Sequence, residues 1–227
     1  MILILALILL ALLIFGPQFY VLHVMNKYSG VHERLPGSGG ELARHLLDRF
    51  ELATVTVEIS EHGDHYDPTA RAVRLSRDNL EGRSLTAIAV AAHEVGHALQ
   101  DAEGDAMFEV RSRMIRVATL AEKAGAIAML AIPLLTLLSR SPMLGLVTLI
   151  VALTSFLSAT LVHLVTLPVE WDASFGRALP ILTQGEYIDK SETRAVKRIL
   201  RAAALTYVAA SLTSLLNLSR WLTILRR

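Results

Sequence analysis

The sequence predicts a mainly α membrane protein, with about four transmembrane or membrane-embedded helices. With them goes a small α+β domain that holds a β-hairpin and a helix bearing the pattern H-E-x-x-H. Three observations predict this. Hydrophobic residues make up 53% of the 227 positions and mean hydropathy is +0.47, above an ordinary globular composition. Long stretches carry no Lys, Arg, Asp or Glu, Met1 to Met25 and Met143 to Leu167 among them. Between these lies a more polar segment, 26–116, in which strand and helix periodicities alternate. The net charge is +1, with arginines scattered among acids, which excludes a nucleic-acid partner. There is no cysteine, so disulfides and thiolate metal sites are excluded and a reducing compartment fits.

Taken in order, residues 1–25 read as an N-terminal transmembrane helix. They lack the basic start and small-residue cleavage site of a signal peptide. Gly16-Pro17 kinks this helix, and Tyr20 and Lys27 suit the interface at its far end. Residues 26–116 form the α+β part. In it Ser38-Gly39-Gly40-Glu41 matches a capping box ahead of Leu42, Leu46, Leu47 and Phe50 on one stripe, a short amphipathic helix. Val55, Val57 and Ile59 alternate with Thr54, Thr56 and Glu58 and read as a strand. The polar turn Glu61 to Pro68 leads to a second strand at about Ala72 to Ser76, so the pair reads as a β-hairpin or small sheet. Ser84 as N-cap and Gly104 as stop bound a helix from about Leu85 to about Glu103. Residues 117–167 read as a transmembrane hairpin turning at Ser139-Arg140-Ser141-Pro142, each leg near the roughly 20 residues that span a bilayer. His163, near the end of the second leg, reads as an interface histidine. Residues 168–201 carry an amphipathic helix. Residues 202–227 form a C-terminal membrane-embedded helix whose Thr206, Ser211, Thr213, Ser214 and Asn217 favour packing on other helices.

The helix from Leu85 carries the chemistry. His93 and His97 stand one turn apart on one face, with Glu94 beside them. Leu85, Ile88, Ala92, Val95 and Leu99 point to nearly the opposite side, towards a core. Two imidazoles at i and i+4 grip a zinc ion without bending the helix. Zinc brings the pKa of a bound water to about 7. A carboxylate beside the first histidine can take that proton and pass it to a leaving amine. Two histidines and an unpaired glutamate among Ala, Val, Ile and Leu are costly unless something binds them.

A catalytic zinc takes a third protein ligand and keeps one position open. The metzincin pattern needs a glycine three residues after the second histidine and a ligand six after it. Gln100 and Glu103 stand there, which rules that pattern out. A glutamate from a later helix is the other option, and Glu170 qualifies. It follows Leu167-Pro168-Val169 at the exit of an apolar helix, with the proline at a helix start. Two expected spans separate it from His93, an even number, so both residues face one side.

Several stretches together resemble the YugP-like family of bacterial membrane zinc metallopeptidases, related to the gluzincins. They are Asp64-His65-Tyr66-Asp67-Pro68, Val73-Arg74-Leu75-Ser76, Gly82-Arg83-Ser84, Ala91 through Gln100, Leu167-Pro168-Val169-Glu170 and Arg201 through Ala210. The resemblance covers most of the chain. It implies a membrane-embedded endopeptidase with one Zn²⁺ per chain held by His93, His97 and Glu170, and with Glu94 as catalytic acid/base. Thermolysin-like gluzincins place an aspartate four residues after the ligand glutamate, to orient a ligand histidine. Here that position is Ser174, so the outer partner of the histidines stays open among Asp172, Ser174, Asp67 and Asp101. The group that stabilises the tetrahedral oxyanion stays open among His65, Tyr66 and Arg177.

Lys27 and Arg34 follow the first expected span, and Arg111, Arg113, Arg116 and Lys123 precede the second. That excess of positive charge puts the zinc segment on the cytoplasmic side of a bacterial inner membrane, in a multi-pass protein. The expected partners are a polypeptide substrate, membrane-associated or misfolded, and the lipid bilayer. By analogy with other zinc peptidases, a strand beside the H-E-x-x-H helix holds the substrate backbone by strand addition. A competing reading is a membrane adaptor that keeps a structural zinc. Glu94 counts against it, because a structural site needs no base beside its ligands. A transporter is disfavoured by the lack of paired charges at mid-membrane depth.

Overall fold

The computed structural model describes residues 2–117 and 166–206, together with 120, 143, 146, 147, 150, 154 and 162. Its elements are helices α1 (Ile2–Lys27) and α2 (Gly39–Arg49), strands β1 (Thr56–Ile59), β2 (His65–Asp67) and β3 (Ala72–Leu75), and helices α3 (Arg77–Leu80) and α4 (Leu85–Ala102). Helical segments over 106–117, 166–184 and 193–206 follow, the middle one π-helical over Asp172–Ala178.

Local chemistry sets the helix starts. At α2 the Ser38 hydroxyl oxygen accepts the Glu41 N–H at 3.2 Å, and the Glu41 carboxylate accepts the Ser38 N–H at 2.7 Å. This cap aims Ala43, Leu46 and Leu47 inward. At α4 the Ser84 hydroxyl accepts the Ala87 N–H at 3.1 Å. The helix α4 is the axis of the domain. Against it pack α2, the short α3, strands β2 and β3, and the 172–184 segment. Every residue from Leu85 to Ala98 is therefore buried, including the histidine face as well as the apolar one.

The small sheet has the order β1-β3-β2. The expected hairpin of the first two strands does not form. Instead β1 and β3 pair in parallel, Thr56 opposite Ala72 through Ile59 opposite Leu75. The polar turn supplies β2, which runs antiparallel to β3 with Tyr66 opposite Val73. Tyr66 explains why so polar a stretch becomes a strand. Its ring is buried, and its hydroxyl donates to Asp101 on α4 at 2.8 Å, which ties β2 to that helix.

The expected fold class is corrected. Among the described residues no helix is long and apolar enough to cross a membrane, and these residues form a mixed α/β domain around α4. The expected N-terminal span is a helix, but its described side chains show it docked on the domain. Val21 and Val24 are buried in the core. Thr86 gives its N–H to the Tyr28 carbonyl at 3.2 Å and its hydroxyl to the Met25 carbonyl at 2.9 Å. Part of the apolar surplus that pointed to a bilayer covers α4 instead. The hairpin expected over 117–167, with His163, and the helix expected over 202–227 lie largely outside the described residues.

Candidate metal centre

Two elements far apart in sequence bring three ligating side chains to one point. From α4 come His93 and His97, one turn apart. From the 166–184 helix comes Glu170. Its Oε2 lies 3.1 Å from His93 Nε2 and 3.3 Å from His97 Nε2. The three donor atoms lie within 4.8 Å of one another, and among the described residues no other such trio occurs. All three side chains are buried.

The ring tautomers follow from the outer partners. The Ser174 hydroxyl donates to the Leu200 carbonyl at 3.1 Å, so its oxygen accepts the Nδ1–H of His93 at 3.0 Å. The Gln100 side-chain oxygen accepts the Nδ1–H of His97 at 2.8 Å. Both rings then turn a bare Nε2 towards the Glu170 oxygen. Three electron pairs, buried and facing one point, suit a divalent cation. This donor set, with outer hydrogen bonds fixing each ring, matches what zinc selects. The residues present therefore fit the ion.

The electrostatics are divided between two carboxyls. Burial pushes the Glu94 carboxyl up to about 7. Burial alone would raise Glu170 as well, but His97, His93 and Arg111 around it outweigh that and hold it far below the usual carboxylate range. One carboxyl is thus kept ionised among cationic and imidazole groups, while its neighbour can exchange a proton near neutral pH.

Close approach of two backbones makes the convergence feasible. A Cβ at Gly96 would meet the Ala173 carbonyl oxygen at 2.8 Å, closer than real carbon contacts allow. Gly96→Ala is expected to push the 166–184 helix off α4 and draw Glu170 away from the histidines. We expect a loss of about 1–3 kcal/mol in stability, as overpacking costs, together with weaker zinc binding. Thermal melting and a chelator competition check both; wild-type values in each would show that the contact is slack.

The candidates left open by the sequence now separate. Ser174 reaches a ligand histidine directly. Asp172 stands one bond further out, where its Oδ2 accepts from Gln100 Nε2 at 2.9 Å and from Arg177 Nε at 2.9 Å. Gln100 Nε2 also donates to the Val169 carbonyl at 3.0 Å. Asp67 binds the Thr69 and Ala70 N–H groups and Arg74, and Asp101 accepts from Tyr66; neither touches the trio. Arg177 pairs with Asp172 and with Glu103 at 2.9 Å. A cavity of about 520 Å³ opens on the site. Val21, Met25 and Val90 line it, with His65 and Tyr66 across from the helix residues His93, Glu94 and His97. The Tyr66 hydroxyl is committed to Asp101, and His65 Nδ1 lies 3.1 Å from the Gly63 carbonyl.

Two residues of the site were missed by the sequence reading. Gln100 could have been found, because it lies three residues after His97 on the same helix face. Arg111 has no such local signal. Its Nη2 lies 2.6 Å from Glu170 Oε1, 59 positions away in sequence. Buried there, it is also removed from the row of charges that argued for membrane orientation.

A relative in Bacillus subtilis (strain 168), named "Putative membrane protease YugP", is 41% identical over 212 residues, covering 92% of this chain and 90% of its own length. No solved structure matches. The family model described as "Putative neutral zinc metallopeptidase" matches residues 2–226, and the chain belongs to that family.

Proposed function

We propose that this chain is a zinc-dependent endopeptidase in which His93, His97 and Glu170 hold one Zn²⁺ and Glu94 is the catalytic acid/base. The observation that carries the reading is the buried trio, with the Glu94 carboxyl beside it on the same cavity. When bound, the ion supplies a water of lowered pKa and draws charge from the scissile carbonyl. Glu94 takes a proton from the attacking water and returns it to the leaving amine. Ser174 and Gln100 hold the two imidazoles in the orientation that ligation needs.

The substrate is a polypeptide. Strand β2 lies at the edge of the sheet and His65 and Tyr66 on it line the cavity, so an extended chain can add to that edge. Val21, Met25 and Val90 offer an apolar wall to a side chain next to the scissile bond. The relative's name describes that protein as a membrane protease. We extend this to association of the present chain with the bacterial inner membrane, its site facing the cytoplasm and its substrate membrane-associated or misfolded.

The test is metal analysis of the purified chain alongside digestion of an unfolded membrane polypeptide. We expect one zinc per chain and cleavage that a chelator abolishes and added zinc restores. A zinc-free protein, or cleavage that survives chelation, would overturn the reading.

A further inference from the structure

We infer that Arg111 is a positioning residue that restricts Glu170 to one ligating oxygen and so keeps a coordination position open. The inference rests on the zinc site proposed above. The Glu170 carboxylate is divided between two tasks. Its Oε2 faces both imidazoles at 3.1 and 3.3 Å, while its Oε1 sits 2.6 Å from Arg111 Nη2. Arg111 comes from a third element, the 106–117 helix, and is 6% exposed. Its guanidinium lies over the Phe108 ring at 5.6 Å, and Phe108 packs on the His97 ring at 5.9 Å. The cation is therefore anchored to the same helix that carries the histidines.

A carboxylate can bind a metal through one oxygen or both. Three protein donor atoms leave a four-coordinate zinc one position for water or substrate. A second Glu170 oxygen would compete for that position. Engaged in a short, charge-assisted hydrogen bond, Oε1 has its lone pair committed and its charge offset. The arginine thus acts through the glutamate, and on the number of ligands more than on their identity.

Cobalt(II) in place of zinc reports ligand number through its visible absorption, and the experiment uses the full chain with cobalt alone as probe. We expect R111M to take up one cobalt per chain with a clearly weaker visible band, as a fifth donor enters. Its kcat on an unfolded polypeptide should fall about 10–100-fold, the usual effect of removing an outer partner, with KM little changed. R111K, which keeps a cationic donor, should retain the wild-type band and most of kcat. If R111M does not fold, R111Q makes the same contrast with R111K. An unchanged band in R111M or R111Q, with only a lowered melting temperature, would make Arg111 a structural residue and overturn the inference. Wild-type protein that takes up neither cobalt nor zinc would overturn the site itself, a separate failure.

Discussion

Glu94→Gln is expected to keep its zinc and lose turnover by about 10²–10⁴-fold, the range that positioned proton transfer contributes. The amide matches the carboxyl in shape, so the packing around a 6%-exposed side chain is preserved. The amide cannot carry a proton between water and amine. No donor is removed from the trio, because Glu94 is not among the atoms that converge on Glu170 Oε2. Zinc stoichiometry should therefore stay at one while hydrolysis of an unfolded polypeptide all but stops. Stability should hold or rise slightly, since a buried ionisable group is replaced by a neutral one. Turnover within tenfold of wild type would remove Glu94 from the chemistry.

Glu170→Ala should do damage of two kinds at once. It deletes a ligand, so zinc affinity should fall by more than the roughly 10–100-fold that losing an outer partner costs. It also removes the carboxylate facing Arg111, a pair whose side chains are 0% and 7% exposed. Breaking a buried pair from one side costs about 3–5 kcal/mol, because the other charge stays in the interior. The two effects separate experimentally. Denaturation of metal-free wild type and variant reads the charge pair, and competition with a chelator reads the ligand. Zinc binding as tight as wild type would take Glu170 out of the ligand set, whatever the melting curve shows.

What could be read in the sequence was local. Ser38 with Glu41, and Ser84 ahead of an apolar run, name their helices because a cap is satisfied within three residues. The two histidines declare a shared face by spacing alone. Glu170 was reached by asking what a two-histidine site still lacks. Strand β2 was hidden because three residues with one buried tyrosine leave no alternation to detect. The parallel pairing of β1 with β3 was hidden for the same reason, since the strand inserted between them in the chain was not seen. Arg111 was invisible as a site residue because its partner is set by tertiary packing. The fold class failed on a related point. Hydropathy counts apolar residues without saying what covers them, and Val21 and Val24 turn out to face the domain.

The π-helical segment Asp172–Ala178 has a consequence for how this chain can change in length. A π segment accommodates an extra residue relative to an α-helix. Deleting one residue there would let the backbone relax to ordinary winding, and everything beyond would turn by about 100°. Leu200, whose carbonyl steadies Ser174, lies beyond it. Insertions and deletions among relatives should accordingly avoid 170–178, and a one-residue deletion engineered there should cost zinc while leaving every ligand in place.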